Sequence, residues 1–250
     1  HSEEIVLSAQ EIIKSPGIPD KAEIIKKIKE INIPILSEIE FAFRYKGDSK
    51  IVAITGSNGK TTSTNLTYHI FNEAGYSVSM CGNVGYSFAR QIAVAPTEWY
   101  IIEVSSFQLD DIKTFKPNIA VLLNITPDHL DRYNYKFENY IESKFRIAMN
   151  LTQDDCFIIC ADDEAINNHI NNLKSNPEII TFSMDKKQSN NGAHLQNDNL
   201  VIDINGELTI MPADQLSLKG KHNVYNSMAS GISARKAEVR SEKLRECLGN

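Results

Sequence analysis

Long apolar runs, a basic excess and paired cysteines are all missing from this sequence of 250 residues. No apolar stretch approaches the ~20 residues that a membrane-spanning helix needs, so membrane insertion is not expected. The formal net charge of -6 gives no basic footprint for nucleic acid. The four cysteines form neither a CxxC pair nor a disulfide-dense pattern, which is typical of a reducing compartment. We therefore expect a cytoplasmic protein without a nucleic-acid partner, and we expect a monomer.

The beginning of the chain also lacks an initiating methionine and a leader. His1 to Glu4 run directly into IVLSAQEIIKSPGIP, which predicts a fragment that begins partway through a domain. Residues 20–31 read as an amphipathic helix, 33–36 as a strand, 37–45 as a helix and 46–50 as a linker. With 42% apolar residues, the chain can build one large domain or two modest ones.

After this region, strand and helix patterns alternate, and several strands are continuous apolar runs of the kind that is buried on both faces. The pattern predicts an α/β fold with a P-loop-type, doubly wound, mainly parallel sheet. The segment VIDI-NG-ELTI within 199–211 predicts a hairpin, and 186–199 reads as an Asn-rich loop. The predicted strands are 51–55, 76–80, 99–104, 119–124, 156–160 and 178–182, and the predicted helices are 62–74, 137–150, 163–173 and 222–236.

The stretch TGSNGKTT, residues 55–62, follows an apolar strand but lacks the first glycine of G-x-x-x-x-G-K-[ST], since Ile54 occupies that position. Gly56 and Gly59 still allow a tight turn that directs N–H groups at an anion. Lys60 can reach a terminal phosphate, the Thr61 hydroxyl can ligate Mg²⁺, and Thr62 begins a helix whose N-terminus favours negative charge. We predict a phosphate-binding loop; a glycine-rich turn without a ligand is the alternative.

Acidic and basic side chains follow other strands of the predicted sheet. Glu103 ends the strand before VSSFQ, where a P-loop protein keeps the acid that holds Mg²⁺, although it could instead cap the next turn. His129 lies in TPDHLDRY after the next strand, and we weigh a metal or substrate contact against an ordinary surface histidine.

Lys144 falls in the middle of the apolar face of helix 137–150. Such a lysine needs a partner, a lowered pKa or a chemical modification, unless it snorkels to the surface.

Two further loops place amides near the same edge. Asn83 lies in CGNVG after a strand, where glycines let the backbone approach a ligand and the amide can bind phosphate or sugar. Asn223 and Asn226 lie at the start of the last long helix, in KGKHNVYN. Asn223 could merely cap that helix; together the two amides could also contact a purine edge.

The motifs TGSNGKTT, GNVG, EVSSFQ, NITPDHLDRY, the inward-facing lysine and LKGKHNVYN together resemble the Mur ligases, in order and over nearly the whole chain. SPGIP, EVSSFQL and HLDRY make the resemblance closest to the D-glutamate-adding members. In this family the phosphate loop looks like GxxGK[ST] without the earlier glycine.

The resemblance implies an ATP- and Mg²⁺-dependent ligase of peptidoglycan precursor synthesis. UDP-N-acetylmuramoyl-L-alanine and D-glutamate would be joined through an acyl phosphate. Lys60, Glu103, His129 and Lys144 would be catalytic, with Lys144 carbamylated. The implied metal ligands are Thr61, Glu103, His129 and Lys144; the substrate contacts are Asn83, Ser105 and His129; the ATP contacts are Gly56, Ser57, Asn58, Gly59, Lys60, Thr61, Thr62, Asn223 and Asn226.

The same resemblance implies a domain division. Residues 1–46 would be the end of a Rossmann-like, UDP-substrate-binding domain and 47–250 the ATP-binding domain, with a third domain beyond. We expect such a fragment to bind ATP or Mg²⁺ weakly and not to complete ligation. The alternatives are another Mur ligase, a folylpolyglutamate synthase-like ligase, a P-loop kinase or GTPase, and a non-catalytic nucleotide-binding module. No NKxD is found for a GTPase, and neither a kinase nor a GTPase explains Lys144.

Overall fold

The computed structural model describes residues 2–185 and 191–250, which form an α/β fold with two sheets. The strands are β1 Ile12–Lys14, β2 Ile35–Ser37, β3 Lys50–Thr55, β4 Val78–Gly82, β5 Trp99–Glu103, β6 Ile119–Leu122, β7 Cys156–Cys160, β8 Glu178–Ser183, β9 Gly192–Gln196, β10 Asn199–Ile204 and β11 Glu207–Pro212. The helices are α1 Glu3–Leu7, α2 Glu23–Glu30, α3 Glu38–Phe43, α4 Lys60–Glu73, α5 Phe88–Val94, α6 Ser106–Asp110, α7 Phe137–Phe145, α8 Glu164–His169, α9 Lys221–Lys236 and α10 Ser241–Gly249.

Within the described residues the main sheet has nine strands, in the order β11-β10-β9-β8-β7-β6-β3-β5-β4. The pairings from β4 to β9 are parallel, and β10 pairs antiparallel with both β9 and β11. All residues of β5, β6 and β7 are buried, as expected for strands covered by helices on both faces. The carboxyl ends of these strands therefore meet at one edge, where ligands bind in such sheets.

The mainly parallel, doubly wound fold predicted from the sequence is confirmed, and so is the hairpin, because Asn205 and Gly206 connect β10 to β11. Two predicted helices are shorter than expected. α7 ends at Phe145 and α8 at His169, and each continues as a tighter turn.

The predicted Asn-rich loop over 186–199 is wrong over its second part. Residues 192–196 form β9, which pairs with β8 on one side and β10 on the other. Neighbouring strands satisfy the backbone of this segment, a long-range effect that its polar sequence does not reveal. Residues 186–190 of that predicted loop lie outside the described residues.

The amino-terminal part forms a two-stranded parallel sheet, β1-β2, that packs near the main sheet. Ile39 and Ala42 of α3 belong to the same apolar cluster as the central strands. Glu40, between them, is 1% exposed, and its carboxylate accepts hydrogen bonds from the backbone N–H groups of residues 113, 114 and 115. α3 is therefore anchored to the body that carries the main sheet. Among the described residues, no helix is long and apolar enough to cross a membrane.

Candidate functional site

The predicted phosphate-binding loop connects β3 to α4 at the carboxyl edge of the sheet. Asn124, just after β6, braces the loop: its Oδ1 accepts from Asn58 N at 2.8 Å, and its Nδ2 donates to Asn58 O at 3.0 Å. Gly59 has φ 81°, and a Cβ there would lie 2.5 Å from Asn226 Oδ1. Only glycine combines this left-handed backbone with such a close neighbour. The loop is thus held in a fixed turn at the N-terminus of a 14-residue helix.

Two lysine side chains converge on this loop. Lys60 Nζ donates to Gly56 O and Ser57 O, both at 2.8 Å, and Lys144 Nζ donates to the same Gly56 O at 2.8 Å. Lys144 is only 1% exposed, so the lysine predicted to face inward does so. Burial first, and then the charge of Lys60, lower the pKa of Lys144 to about 7. Burial also lowers the pKa of Lys60. Two adjacent amines that share a neutral carbonyl form a basic pocket suited to an anion.

Glu103 lies on the other side of the loop and is 2% exposed. Its carboxylate accepts from Thr61 Oγ1 at 2.8 Å and from Asn83 Nδ2 at 2.7 Å, so three predicted site residues are brought together. Gly82 allows this approach: it has φ 103°, and a Cβ there would lie 2.3 Å from Glu103 O. A hydroxyl and a carboxylate side by side offer the oxygen ligands that Mg²⁺ prefers.

His129 is placed differently. Its side chain is 56% exposed, its backbone has φ 49°, and its Nε2 lies 3.4 Å from Asp128 Oδ2. The ring lies 5.3 Å from the Phe107 ring. In the part of the chain that the structure describes, no hydrogen bond joins His129 to Lys144, and no group of three or more His, Cys, Asp or Glu residues is arranged for a metal.

Ser105 is engaged in local structure. It begins α6 as part of a capping box, in which its hydroxyl accepts from Gln108 N at 3.3 Å while Gln108 Oε1 accepts from Ser105 N at 2.9 Å. The sequence SSFQ, with Ser and Gln three residues apart, has the Ser-x-x-Gln spacing of this motif. Ser105 nevertheless lies just past Glu103, at the carboxyl end of β5.

A cavity of about 630 Å³ opens beside the predicted phosphate-binding loop. Asn223 and Asn226 line it, as do Gly59 and Thr62 from the loop and α4. Asn226 Nδ2 donates to Asn223 Oδ1 at 3.1 Å, and Asn223 Nδ2 donates to Lys219 O at 2.8 Å. The two predicted amides are therefore adjacent and next to the loop, which is the geometry expected for a base beside its phosphates.

Sequence reasoning missed two residues of this cavity wall. Asn124 braces the loop, and Asp162, just after β7, accepts from Tyr225 Oη at 2.9 Å and from Met184 N at 2.7 Å. Asp162 thereby ties α9 to the sheet. Both are polar residues that lie two positions past the end of a buried strand, and that position is a signal that could have found them.

Comparison with known proteins identifies relatives of the whole chain. The Mur ligase middle domain profile matches residues 54–234. The chain is 47% identical over 250 residues to the UDP-N-acetylmuramoylalanine--D-glutamate ligase of Christiangramia forsetii, covering 100% of this chain and 56% of that protein. The protein of the same name from Salinibacter ruber is 38% identical over 250 residues, covering 97% of this chain and 54% of that protein. The chain thus spans about half the length of these curated relatives.

Solved structures show the same fold at low sequence identity. The UDP-N-acetylmuramate:L-alanyl-gamma-D-glutamyl-meso-diaminopimelate ligase from Neisseria meningitides is 16% identical, with a TM-score of 0.68 over 96% of this chain and 78% of that chain. A pseudomurein peptide ligase type C from Methanothermus fervidus is 19% identical, with a TM-score of 0.62 over 100% of this chain and 59% of that chain. Because the family profile matches well over half of the residues, this chain belongs to the Mur ligase family through its middle domain.

Proposed function

We propose that this chain is the ATP-binding part of a ligase that joins D-glutamate to UDP-N-acetylmuramoyl-L-alanine. The names of relatives that are 47% identical support the substrates. The observation that carries the proposal is the phosphate loop itself, on which Lys60 and Lys144 converge at Gly56 O while Thr61 and Glu103 meet beside it. Residues 47–250 would form the ATP-binding domain and residues 1–46 the end of the substrate-binding domain.

The loop is suited to the phosphates of ATP. The backbone N–H groups of residues 59–62, at the N-terminus of α4, favour negative charge. A bound phosphate would give Lys60 an anionic partner in place of the carbonyl groups of Gly56 and Ser57. The cavity with Asn223 and Asn226 would take the adenine.

A Mg²⁺ ion fits the donor set at Thr61 and Glu103, because Glu103 is a buried carboxylate whose described partners are the neutral groups of Thr61 and Asn83. When bound, the ion would neutralise phosphate charge. His129 and Lys144 are the proposed ligands of a second Mg²⁺ ion. Their fit is weaker, since His129 is exposed and paired with Asp128.

Lys144 would contribute oxygen ligands as a carbamate. Its pKa of about 7 keeps a substantial share of the amine neutral at neutral pH, and only the neutral amine attacks carbon dioxide. In that reaction a bond forms between Nζ and the carbon of CO₂, a proton is released and an anionic carbamate results. An anion there would also replace an unfavourable contact between two like charges, Lys60 and Lys144.

The reaction would proceed in two displacements. A carboxylate oxygen of the UDP-linked substrate attacks the terminal phosphorus of ATP, forming an O–P bond as the bond to ADP breaks. The amine of D-glutamate then attacks the acyl carbon, forming the amide as phosphate leaves and the amine gives up a proton. Lys60 would stabilise the transferring phosphoryl group by its charge. Asn83, Ser105 and His129 would orient the UDP-linked substrate, since they follow β4, β5 and β6 at the same edge.

The first test is calorimetric titration of the chain with a nonhydrolysable ATP analogue and Mg²⁺. Lys60→Ala should weaken binding at least about tenfold, the usual cost of losing a charge-assisted hydrogen bond. Lys26→Ala, on the exposed face of α2, is the matched control and should bind as the wild type does. Equal affinities for Lys60→Ala and the wild type would contradict a phosphate site at this loop.

A further inference from the structure

A ladder of buried hydroxyl groups joins α4 to α9 next to the cavity that Asn223 and Asn226 line. Ser63 Oγ donates to Asn226 Oδ1 at 3.1 Å, and one turn further along both helices Thr67 Oγ1 donates to Ser230 Oγ at 3.0 Å. Ser230 Oγ in turn donates to Ser63 O at 3.3 Å. These side chains are at most 6% exposed, so water does not compete for their hydrogen bonds.

The hydrogen bonds along this ladder determine which way the Asn226 amide points. Lys219 O can only accept, so Asn223 must direct its Nδ2 there and its Oδ1 towards Asn226. Asn226 must then direct its Nδ2 at Asn223 Oδ1. As a result, the Oδ1 atom of Asn226 points at Ser63. Ser63 therefore acts as the donor that satisfies a buried carbonyl oxygen. Without it, Asn226 Oδ1 would lie unsatisfied against Gly59, and a single hydrogen bond, from Nδ2 to Asn223 Oδ1, would be left to hold the amide in this orientation.

The fixed amides present a defined pattern to the cavity. Among the described residues, Asn226 Nδ2 has one acceptor, Asn223 Oδ1, so its second N–H is left for a ligand. Asn223 Oδ1 keeps a second lone pair beside it. One donor next to one acceptor matches the adenine edge, where N7 accepts and N6 donates. Guanine presents two acceptors at the same edge, N7 and O6. One of them would face Asn223 Oδ1, which is also an acceptor, so no hydrogen bond could form there.

We propose that Ser63 is a positioning residue that acts through Asn226 to make the cavity selective for adenine over guanine nucleotides. This inference rests on the proposed nucleotide-binding function. Ser63 itself is 0% exposed and would not touch the nucleotide. Its effect would be confined to the base, because the phosphate loop is held separately by Asn124 and by its own backbone.

The experiment measures dissociation constants by calorimetry, with Mg²⁺, for three probes: nonhydrolysable analogues of ATP and GTP, and tripolyphosphate. The proteins compared are the wild type, Ser63→Ala, Asn226→Ala, the double variant, and Ser230→Ala as the matched control. Ser230→Ala removes a buried hydroxyl from the same helix interface without touching the Asn226 amide. Thermal unfolding confirms that each variant is folded. Ser63→Cys, similar in size and a weak donor, serves if Ser63→Ala does not fold.

The wild type is expected to prefer the adenine probe about tenfold or more. Ser63→Ala should lower that preference about fivefold and leave tripolyphosphate binding unchanged, with no further effect in the Asn226→Ala background. Ser230→Ala should retain the wild-type preference. Ser63→Cys should give a preference between those of Ser63→Ala and the wild type.

Three results would overturn the proposal. An unchanged preference in Ser63→Ala or Ser63→Cys refutes the positioning role and leaves nucleotide binding intact. Equal weakening of all three probes, or additive losses in the double variant, assigns Ser63 a general structural role instead. A wild type that binds neither nucleotide refutes both this inference and nucleotide binding by this chain.

Discussion

The Lys144 side chain is buried, and burial disfavours the charged form of its amino group. The ammonium lies over the Tyr140 ring, 4.7 Å from its centroid, and donates to Gly56 O, but its described contacts include no carboxylate partner. The helical pattern of 137–150 predicts that this lysine faces inward. It cannot predict the carbonyl that receives the hydrogen bond, because Gly56 is 88 residues away and reaches Lys144 only through the packing of α7 on the sheet.

Replacement of Lys144 by Met should stabilise the chain at pH 7 in buffer free of carbon dioxide, by roughly 3 kcal/mol, since a buried ammonium is replaced by an apolar side chain of similar length. The folded pKa of about 7 lies below the ordinary value of 10.5. Between these values the unfolded lysine holds a proton that the folded one has released. The free energy of unfolding of the wild type should therefore rise with pH across this window, by up to about 1.4 kcal/mol per pH unit from this group.

Urea unfolding of both proteins at a series of pH values between 7 and 10.5 measures this effect. The difference between the two curves reports the titration of Lys144 together with its electrostatic coupling to Lys60, which is present in both proteins. The advantage of Lys144→Met should shrink steadily as the pH rises. Parallel curves would show that the Lys144 amine keeps its ordinary pKa.

At the scale of elements, the close approach of β4 to β5 depends on Gly82. Gly82→Ala places a methyl group 2.3 Å from Glu103 O in addition to straining a backbone at φ 103°. Gly75→Ala is the matched control, with φ 90° and open space around the added methyl. We expect about 1 kcal/mol of destabilisation for Gly75→Ala and about 3 kcal/mol or more for Gly82→Ala. Thermal unfolding of the two variants decides this, and equal losses would mean that backbone strain alone accounts for the cost.

The sequence predicts well the strands that are buried on both faces, because each of them is a continuous run of apolar residues. β6 and β7 are apolar throughout, and β5 is apolar except for Glu103 at its end, because helices cover both faces. The elements that were missed depend on tertiary partners. β9 is a five-residue strand held between β8 and β10, and α6 is a five-residue helix held by its capping box. The site follows the same division: glycines and charged residues after strands are visible in the sequence, whereas the Ser63 contact with Asn226 spans 163 residues.

At the scale of the whole molecule, the amino-terminal part is connected to the main sheet through buried charge. Glu40 accepts from backbone N–H groups of the loop before β6, and Lys14 pairs with Asp111 at 2.9 Å. Burial alone would raise the pKa of Glu40, but the hydrogen bonds from Thr114, Lys113 and Phe115 outweigh it and lower that pKa below its ordinary value of 4.5. The carboxylate therefore stabilises the fold above pH 4.5, and this stabilisation is lost as the pH falls through the folded pKa.

Glu40→Gln should consequently lower the free energy of unfolding by about 2 kcal/mol or more at pH 7, because an amide replaces a charged acceptor and its N–H groups would face the backbone N–H groups.

Trp99, the only tryptophan of the chain, is buried in β5 and reports on the main sheet by fluorescence. If both parts unfold together, the Trp99 transition and the loss of helical circular dichroism shift to lower urea by the same amount. Glu30→Gln, on the exposed face of α2, is the control and should shift neither transition. As the pH falls below 4.5 the gap between Glu40→Gln and the wild type should close, since protonation removes the same charge. A Trp99 transition that Glu40→Gln leaves in place would mean that the amino-terminal part unfolds separately from the main sheet.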